Sequence, residues 1–204
     1  MYTLLICKRD KYIEAWKTMY KNNKNKFNDP MFDGINPMLN KTPLKTEIDN
    51  VCAVLYDNNV EITDINNNKT SLPIGIFSMI ITKNNNNNIK PIGKQFIVDP
   101  DYQRKGLGKA LLLSLEMELK NKGYTWYYIG CSNMSSRIQK QFGAEPYQSD
   151  DTHDLYKYNI NLNRESFNEQ YNKYLKNRND IKIKYDNEIV YWFQLLFKEF
   201  YYDK

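Results

Sequence analysis

Val98-Asp99-Pro100-Asp101-Tyr102-Gln103-Arg104-Lys105-Gly106-Leu107-Gly108-Lys109-Ala110 decides how the rest of this chain is read. Ahead of it, Lys94-Gln95-Phe96-Ile97-Val98 is rich in aromatic and β-branched residues and predicts a strand. Behind it, Leu111, Leu112, Leu115 and Leu119 recur at helical spacing between Leu107 and Lys122, and Gly123 supplies a stop. The loop between holds Gly106, Gly108, the cations Arg104 and Lys105, and Gln103. Glycine lets the backbone approach a ligand closely. The first amides of a helix have no intrahelical partner and stand at the positive end of its dipole. A loop of this kind at a helix start is an anion site, suited above all to phosphate. Lys109 adds charge.

Two nucleotide-binding patterns are excluded. The Walker loop needs a glycine, four residues, then Gly-Lys-Ser/Thr. Here Gly108-Lys109 is followed by Ala110, and position 103 is glutamine. The dinucleotide fingerprint needs a third glycine where this chain has Leu111. The pattern that fits is Gln/Arg-x-x-Gly-x-Gly/Ala, met by Gln103 to Gly108, after a strand ending Val98-x-Pro100-x-Tyr102 and before a leucine helix. On these residues the chain resembles the GNAT superfamily of N-acetyltransferases. The resemblance covers roughly residues 2–160, most specifically 94–144. The alternative is an ordinary strand–loop–helix with a solvated basic turn.

Composition bounds the reading. The length suits one domain with an appendage. An apolar share of 41%, with 14% aromatic, is enough for a core. The net charge of +5 raises the question of nucleic acid. Lys, Asn, Ile and Tyr are in excess together, as A/T-biased coding produces, and the basic residues are scattered, which argues against a nucleic-acid partner. Cys7, Cys52 and Cys131 are odd in number and lack metal spacing, so reduced thiols in an intracellular, cytoplasmic protein are expected. Met1 to Arg9 is too short and too soon charged for a signal peptide. No apolar run reaches the ~18 residues of a membrane span.

In chain order, Tyr2 to Cys7 predicts a strand and Lys11 to about Tyr20 a helix capped by Asp10, with Ile13, Trp16 and Tyr20 on one face. Asp29 to Pro43 is proline-rich and reads as loop. Asn50 to Tyr56 and Pro73 to Thr82 read as strands, Asp57-Asn58-Asn59 as a turn and Val60 to Ile65 as a second hairpin arm. Asn84 to Asn88 is a hairpin tip, and Ile89 to Val98 returns into the phosphate loop. Tyr124 to Cys131 predicts a strand, residues from Asn133 to about Phe142 a short helix ended by Gly143, and Tyr156 to Ile160 the last strand of the sheet. Arg164 to about Arg178 and Asn187 to Tyr202 read as helices, with Asp180 to Asp186 ambiguous between them. The expected architecture is α/β (α+β): a GNAT fold, with a mixed, mostly antiparallel central sheet flanked by helices in residues 1–160. Residues 161–204 form a helical extension, packed on that domain or at a homodimer contact.

The resemblance implies transfer of the acetyl group of acetyl-CoA to an amine, in a direct ternary complex and without a metal. The acceptor is a small-molecule or protein amine. The backbone of β-strand residues Phe96, Ile97 and Val98 would pair with the pantetheine arm, provided the neighbouring strand diverges. The amides of Arg104, Lys105, Gly106, Leu107, Gly108 and Lys109, with Gln103, would hold the pyrophosphate. Asn133 and Ser136, on the second flanking helix, complete the cofactor set, although Asn133 also suits simple capping. The catalytic half is barer. Family members often carry a glutamate on the strand before the loop, where this chain has Lys94 and Gln95. Asp99 is the nearest carboxylate and is equally a strand cap; Glu61 and Asp64 are weaker candidates for a base. His153, the only histidine, sits in a polar loop, and Cys131 reads as a buried, inert thiol. The family's tyrosine acid lies four residues before the glycine that ends the second helix, which here is Gln139. Tyr147 and Tyr156 are the nearby substitutes. A CoA-binding module of the same fold that has lost catalysis is the rival reading.

Overall fold

The computed structural model describes residues 1–23, 46–131, 133–146 and 156–186. β1 (Tyr2–Cys7), β2 (Glu47–Thr63), β3 (Lys69–Lys83) and β4 (Ile89–Val98) each run antiparallel to the next. β5 (Trp126–Cys131) is parallel to β4, and β7 (Tyr156–Asn161) returns antiparallel to β5, with β6 (Glu145–Pro146) outside it. β8 (Ile181–Tyr185) is parallel to β1. These strands form one sheet in the order β6-β7-β5-β4-β3-β2-β1-β8. The helices are α1 (Arg9–Asn23), α2 (Leu107–Asn121), α3 (Asn133–Gln141) and α4 (Phe167–Tyr171), the last continued by a wide π-type turn over Asn172–Lys176.

Alternation along the central strands builds two cores. Leu4, Ile6, Val51, Ala53, Leu55, Phe77 and Met79 pack against the leucines of α2, with Phe167 and Leu175 behind them. Cys7, Cys52, Val54, Ile76 and Ile80, the intervening residues, pack against Tyr12, Ile13, Trp16 and Met19 of α1. Strands covered on both faces read as near-continuous apolar runs, which is why β2 and β3 are plain in the sequence. Cys7 and Cys52 stand opposite one another on β1 and β2 as buried free thiols, their pKa values raised by burial.

Four details depart from the sequence pattern. Val60 to Ile65 does not form a separate hairpin arm: β2 runs through Asp57 to Thr63, past an irregularity between Asp57 and Glu61. The first turn of α1 is capped by Asn50 of β2, whose Oδ1 accepts the Arg9 N–H at 3.1 Å, rather than by Asp10. Arg9 also pairs with Glu47 at 2.5 Å and Lys8 with Asp49 at 2.6 Å, so the start of α1 is fixed to β2. Tyr156–Asn161 is not the last strand. Ile181-Lys182-Ile183-Lys184-Tyr185 alternates with period two and pairs with the edge of β1, so the segment after 161 is helix plus strand rather than helix alone. The helix predicted over 164–178 is confined to 167–171 and the π-type turn. The loop at 29–43 and the helix expected over 187–202 lie outside the described residues.

A buried charge ties this later segment to α2. Glu116 is fully buried and accepts a hydrogen bond from Tyr127 of β5 at 2.9 Å and one from Arg164 at 2.6 Å. Burial pushes the Glu116 carboxyl up, and the Arg164 guanidinium opposes it. Removing one partner of a buried pair leaves an uncompensated charge, which costs about 3–5 kcal/mol. Arg164→Ala is therefore expected to lower unfolding stability by that amount in urea titration. A loss under about 1 kcal/mol, the scale of an exposed pair, would show that the carboxylate is not held as an ion.

Candidate active site

β4 and β5 pair only at Ile92 with Tyr128 and Gly93 with Ile129. Gly93 permits this contact, since a Cβ there would stand 3.0 Å from Ile129 Cδ1. β4 nevertheless continues to Val98, still paired to β3 through Val98 and Gly75. Where the strands part, Gln95 faces Ser78 and Gly93 faces Met79, so Lys94 is an extra residue. Such a bulge bends and twists its strand and re-aims its edge. From Lys94 to Val98 the β5-facing edge of β4 has no strand partner among the described residues. An extended ligand with amide groups can occupy such an edge.

The loop at the end of this edge is built from within. Asp99 is almost wholly buried, and its carboxylate accepts the Asp101 N–H at 3.0 Å as the cap of the short 3-10 turn Pro100–Tyr102. Its own N–H donates to Ile74 O at 2.8 Å. Gln103 folds back, its Nε2 donating to Val98 O at 3.1 Å. Tyr102 donates to Asp57 at 3.0 Å, and Lys105 lies over the Tyr102 ring at 4.9 Å. Arg104 has φ +62° and Gly106 φ +76°, left-handed conformations that turn the chain into α2. Leu107 is buried and anchors the turn in the core. The first helical bond is Ala110 N–H to Gly106 O at 3.1 Å, so the amides of Leu107, Gly108 and Lys109 precede the ladder. Gly108 brings α2 close to the strand: a Cβ would lie 3.4 Å from Phe96 and 3.5 Å from Val98. Phe96 packs edge-on to Phe77 at 5.2 Å on this face, whereas Ile97 joins the α1 core on the other. Lys109 is engaged by Tyr174, at 3.1 Å to its hydroxyl and 4.4 Å to its ring centroid.

On the α1 side of the bulge sits a polar spot in an apolar layer. Tyr12 donates a hydrogen bond to Gln95 Oε1, and both are buried. Ser78, opposite Gln95 in register, is fully buried with its hydroxyl unpartnered. Sequence periodicity puts Ile13, Trp16 and Tyr20 on the inner face of α1 and passes over Tyr12, although Tyr12, Trp16 and Tyr20 are spaced by four, which is the available signal. Of the other candidates, Glu61 is exposed and paired with Lys69 at 2.9 Å, and Asp64 accepts the Asn66 and Asn68 amides at 2.7 and 2.8 Å within a turn. Gln139 of α3 is fully buried with neither amide atom partnered. Asn133 and Ser136 lie on α3, and Tyr156 opens β7 opposite Cys131 in register. Tyr147 and His153 lie outside the described residues.

Residues 67–137, spanning β3, β4, the loop, α2, β5 and the start of α3, match the Acetyltransferase (GNAT) family. That match covers about a third of the chain and includes the loop and both strands that part from one another. No curated protein matches the chain. Among solved structures, it is similar to a GNAT-family acetyltransferase from Staphylococcus aureus Mu50, at 18% identity over 79% of this chain and 99% of that one, with a TM-score of 0.51. It is also similar to BjaI, a CoA-dependent acyl-homoserine lactone synthase solved with SAM and isopentyl-CoA, at 7% identity over 91% and 94% of the two chains, with a TM-score of 0.54. At these identities the likeness shows the fold. Among the described residues no helix is long and apolar enough to cross a membrane, and no three His, Cys, Asp or Glu side chains gather as a metal set.

Gly106 is the position of the loop least able to accept a side chain. Any side chain there meets the left-handed φ, and a Cβ would stand 3.1 Å from Arg178 Nη1. CoA at ~100 times its dissociation constant should stabilise the wild-type protein by roughly 2.7 kcal/mol. Gly106→Val is expected to remove most of that thermal shift while the protein remains folded. A shift equal to wild type would place the cofactor elsewhere.

Proposed function

We propose that the protein is an N-acetyltransferase that moves the acetyl group of acetyl-CoA to a primary amine by direct attack in a ternary complex. The observation that carries this is the pairing of β4 and β5 for two residues only, with the phosphate loop at the end of the freed edge. Backbone groups of Phe96 and Val98 face that edge for the pantetheine arm, whereas those of Ile97 between them face β3. The loop amides from Arg104 to Lys109 face the pyrophosphate, with Gln103 bracing the Val98 carbonyl. Asn133 and Ser136, on α3, belong to the proposed cofactor set. The donor's thioester then lies between the strands near the bulge, and the acceptor approaches from the Tyr12–Gln95 side.

An amine of pKa near ~10 must lose a proton before its lone pair can attack. Asp99 is spent on its cap, and Gln95 cannot take up a proton near neutral pH. Water entering the cleft is the acceptor for that proton. Attack on the acetyl carbonyl forms a C–N bond and breaks the C–S bond. The thiolate has a pKa near that of a free thiol, about 8.5, so it leaves without a dedicated acid. Tyr147→Phe and Tyr156→Phe are each expected to lower kcat by less than about tenfold, whereas a positioned acid contributes ~10²–10⁴-fold. A hundredfold loss in either variant, with CoA affinity intact, would assign the acid to that tyrosine.

The missing carboxylate at Gln95 also favours a second reading, a CoA-binding module without turnover. Incubation with acetyl-CoA and an amine library, read by mass spectrometry of acetylated products alongside thiol release, separates the two. Acetylated amines are expected. CoA binding with no product from any amine would leave the binding module.

A further inference from the structure

The segment after β7 lies outside the family match, yet it reaches the phosphate loop directly. Arg178, between the π-type turn and β8, donates from Nη1 to Lys105 O at 3.1 Å. Its Nε and Nη2 donate to the two carboxylate oxygens of Asp180, both at 2.6 Å. Asp180 is fixed in turn, its carbonyl accepting the Tyr2 N–H at 2.7 Å as β8 joins β1. Four residues earlier in the same segment, Tyr174 holds Lys109. Further along, Tyr185 donates to Glu118 of α2 at 2.8 Å. One segment therefore grips the loop, the first turn of α2 and its last turns.

We propose that Arg178 is a positioning residue of the cofactor site, acting through the Lys105–Gly106 peptide. This rests on the reading of the loop as the seat of the CoA pyrophosphate. A trans peptide points its C=O and its N–H in opposite directions. Holding the Lys105 carbonyl on the Arg178 side therefore aims the Gly106 N–H away from it. Both flanking residues, Arg104 and Gly106, occupy left-handed conformations, and for Arg104 that conformation is uncommon and persists only where surroundings impose it. Arg178 imposes it, because a planar fork already aligned on Asp180 leaves its third direction for the carbonyl. Lysine has the charge without the fork. The Asp180 carboxyl is held below its usual pKa by Arg178, consistent with a persistent pair.

The test measures KM and kcat of the full chain with acetyl-CoA and with S-acetylpantetheine, a donor that lacks the phosphates. Arg178→Gln is expected to raise KM for acetyl-CoA by about tenfold, the scale of one hydrogen bond to a charged group, with kcat changed less than about twofold. It should leave kcat/KM for S-acetylpantetheine unchanged. Arg178→Lys should resemble Arg178→Gln, because the grip and not the charge is lost. Asp180→Asn, which keeps the arginine but loosens its aim, should shift KM in the same direction by less. Equal losses with both donors would make Arg178 a structural residue only and overturn the proposal, as would full rescue by lysine. A wild-type protein that used the two donors equally well would instead overturn the phosphate-loop reading itself.

Discussion

The fold turns on the separation of two parallel strands after two paired residues. Sheet hydrogen bonds hold strands together along their length, so the separation needs a local cause. Lys94 supplies it as the extra residue of a bulge, directly after Gly93, whose missing Cβ admits the last paired contact with Ile129. β4 keeps its order through this break because β3 remains paired on its far side to Val98. β4 thus keeps its course while, among the described residues, its β5-facing edge has no strand partner, as an extended, amide-bearing ligand would require. Everything else positions groups around that edge: α2 and its loop on one face, α1 with Tyr12 over Gln95 on the other.

Much of this is legible in the sequence. The strand, loop and helix from 94 to 122 are local features, each set by periodicity or by glycine chemistry within a few residues. The doubly covered strands β2 and β3 read as apolar runs for the same reason. What is not legible depends on distant partners. Asn50 caps α1 from forty-one positions away, so Asp10 looks like the better cap. β8 is five residues of isoleucine and lysine in alternation, closed by a tyrosine, and is ambiguous until β1 offers an edge. Lys109 reads from the sequence only as added charge, because its contact with Tyr174, sixty-five residues later, is invisible there.

The same limit applies to the chemistry. The proposal of an anion at the loop rests on residue types alone, since backbone amides at a helix start need no special side chain. The catalytic proton route cannot, because it depends on which polar groups are buried together. Tyr12, Gln95 and Ser78 come from three separate elements and meet only through the register of β3 and β4 and the anchoring of α1. None of these three side chains is a carboxylate, which is why the proposed mechanism routes the amine proton through water.

Amide hydrogen exchange with and without CoA tests most directly whether the freed edge and the loop together seat the cofactor. Saturating CoA should slow exchange in two stretches, Lys94–Val98 along the freed edge and Arg104–Lys109 in the loop. Protection confined to other elements, with both of these stretches exchanging as in the free protein, would contradict that assignment.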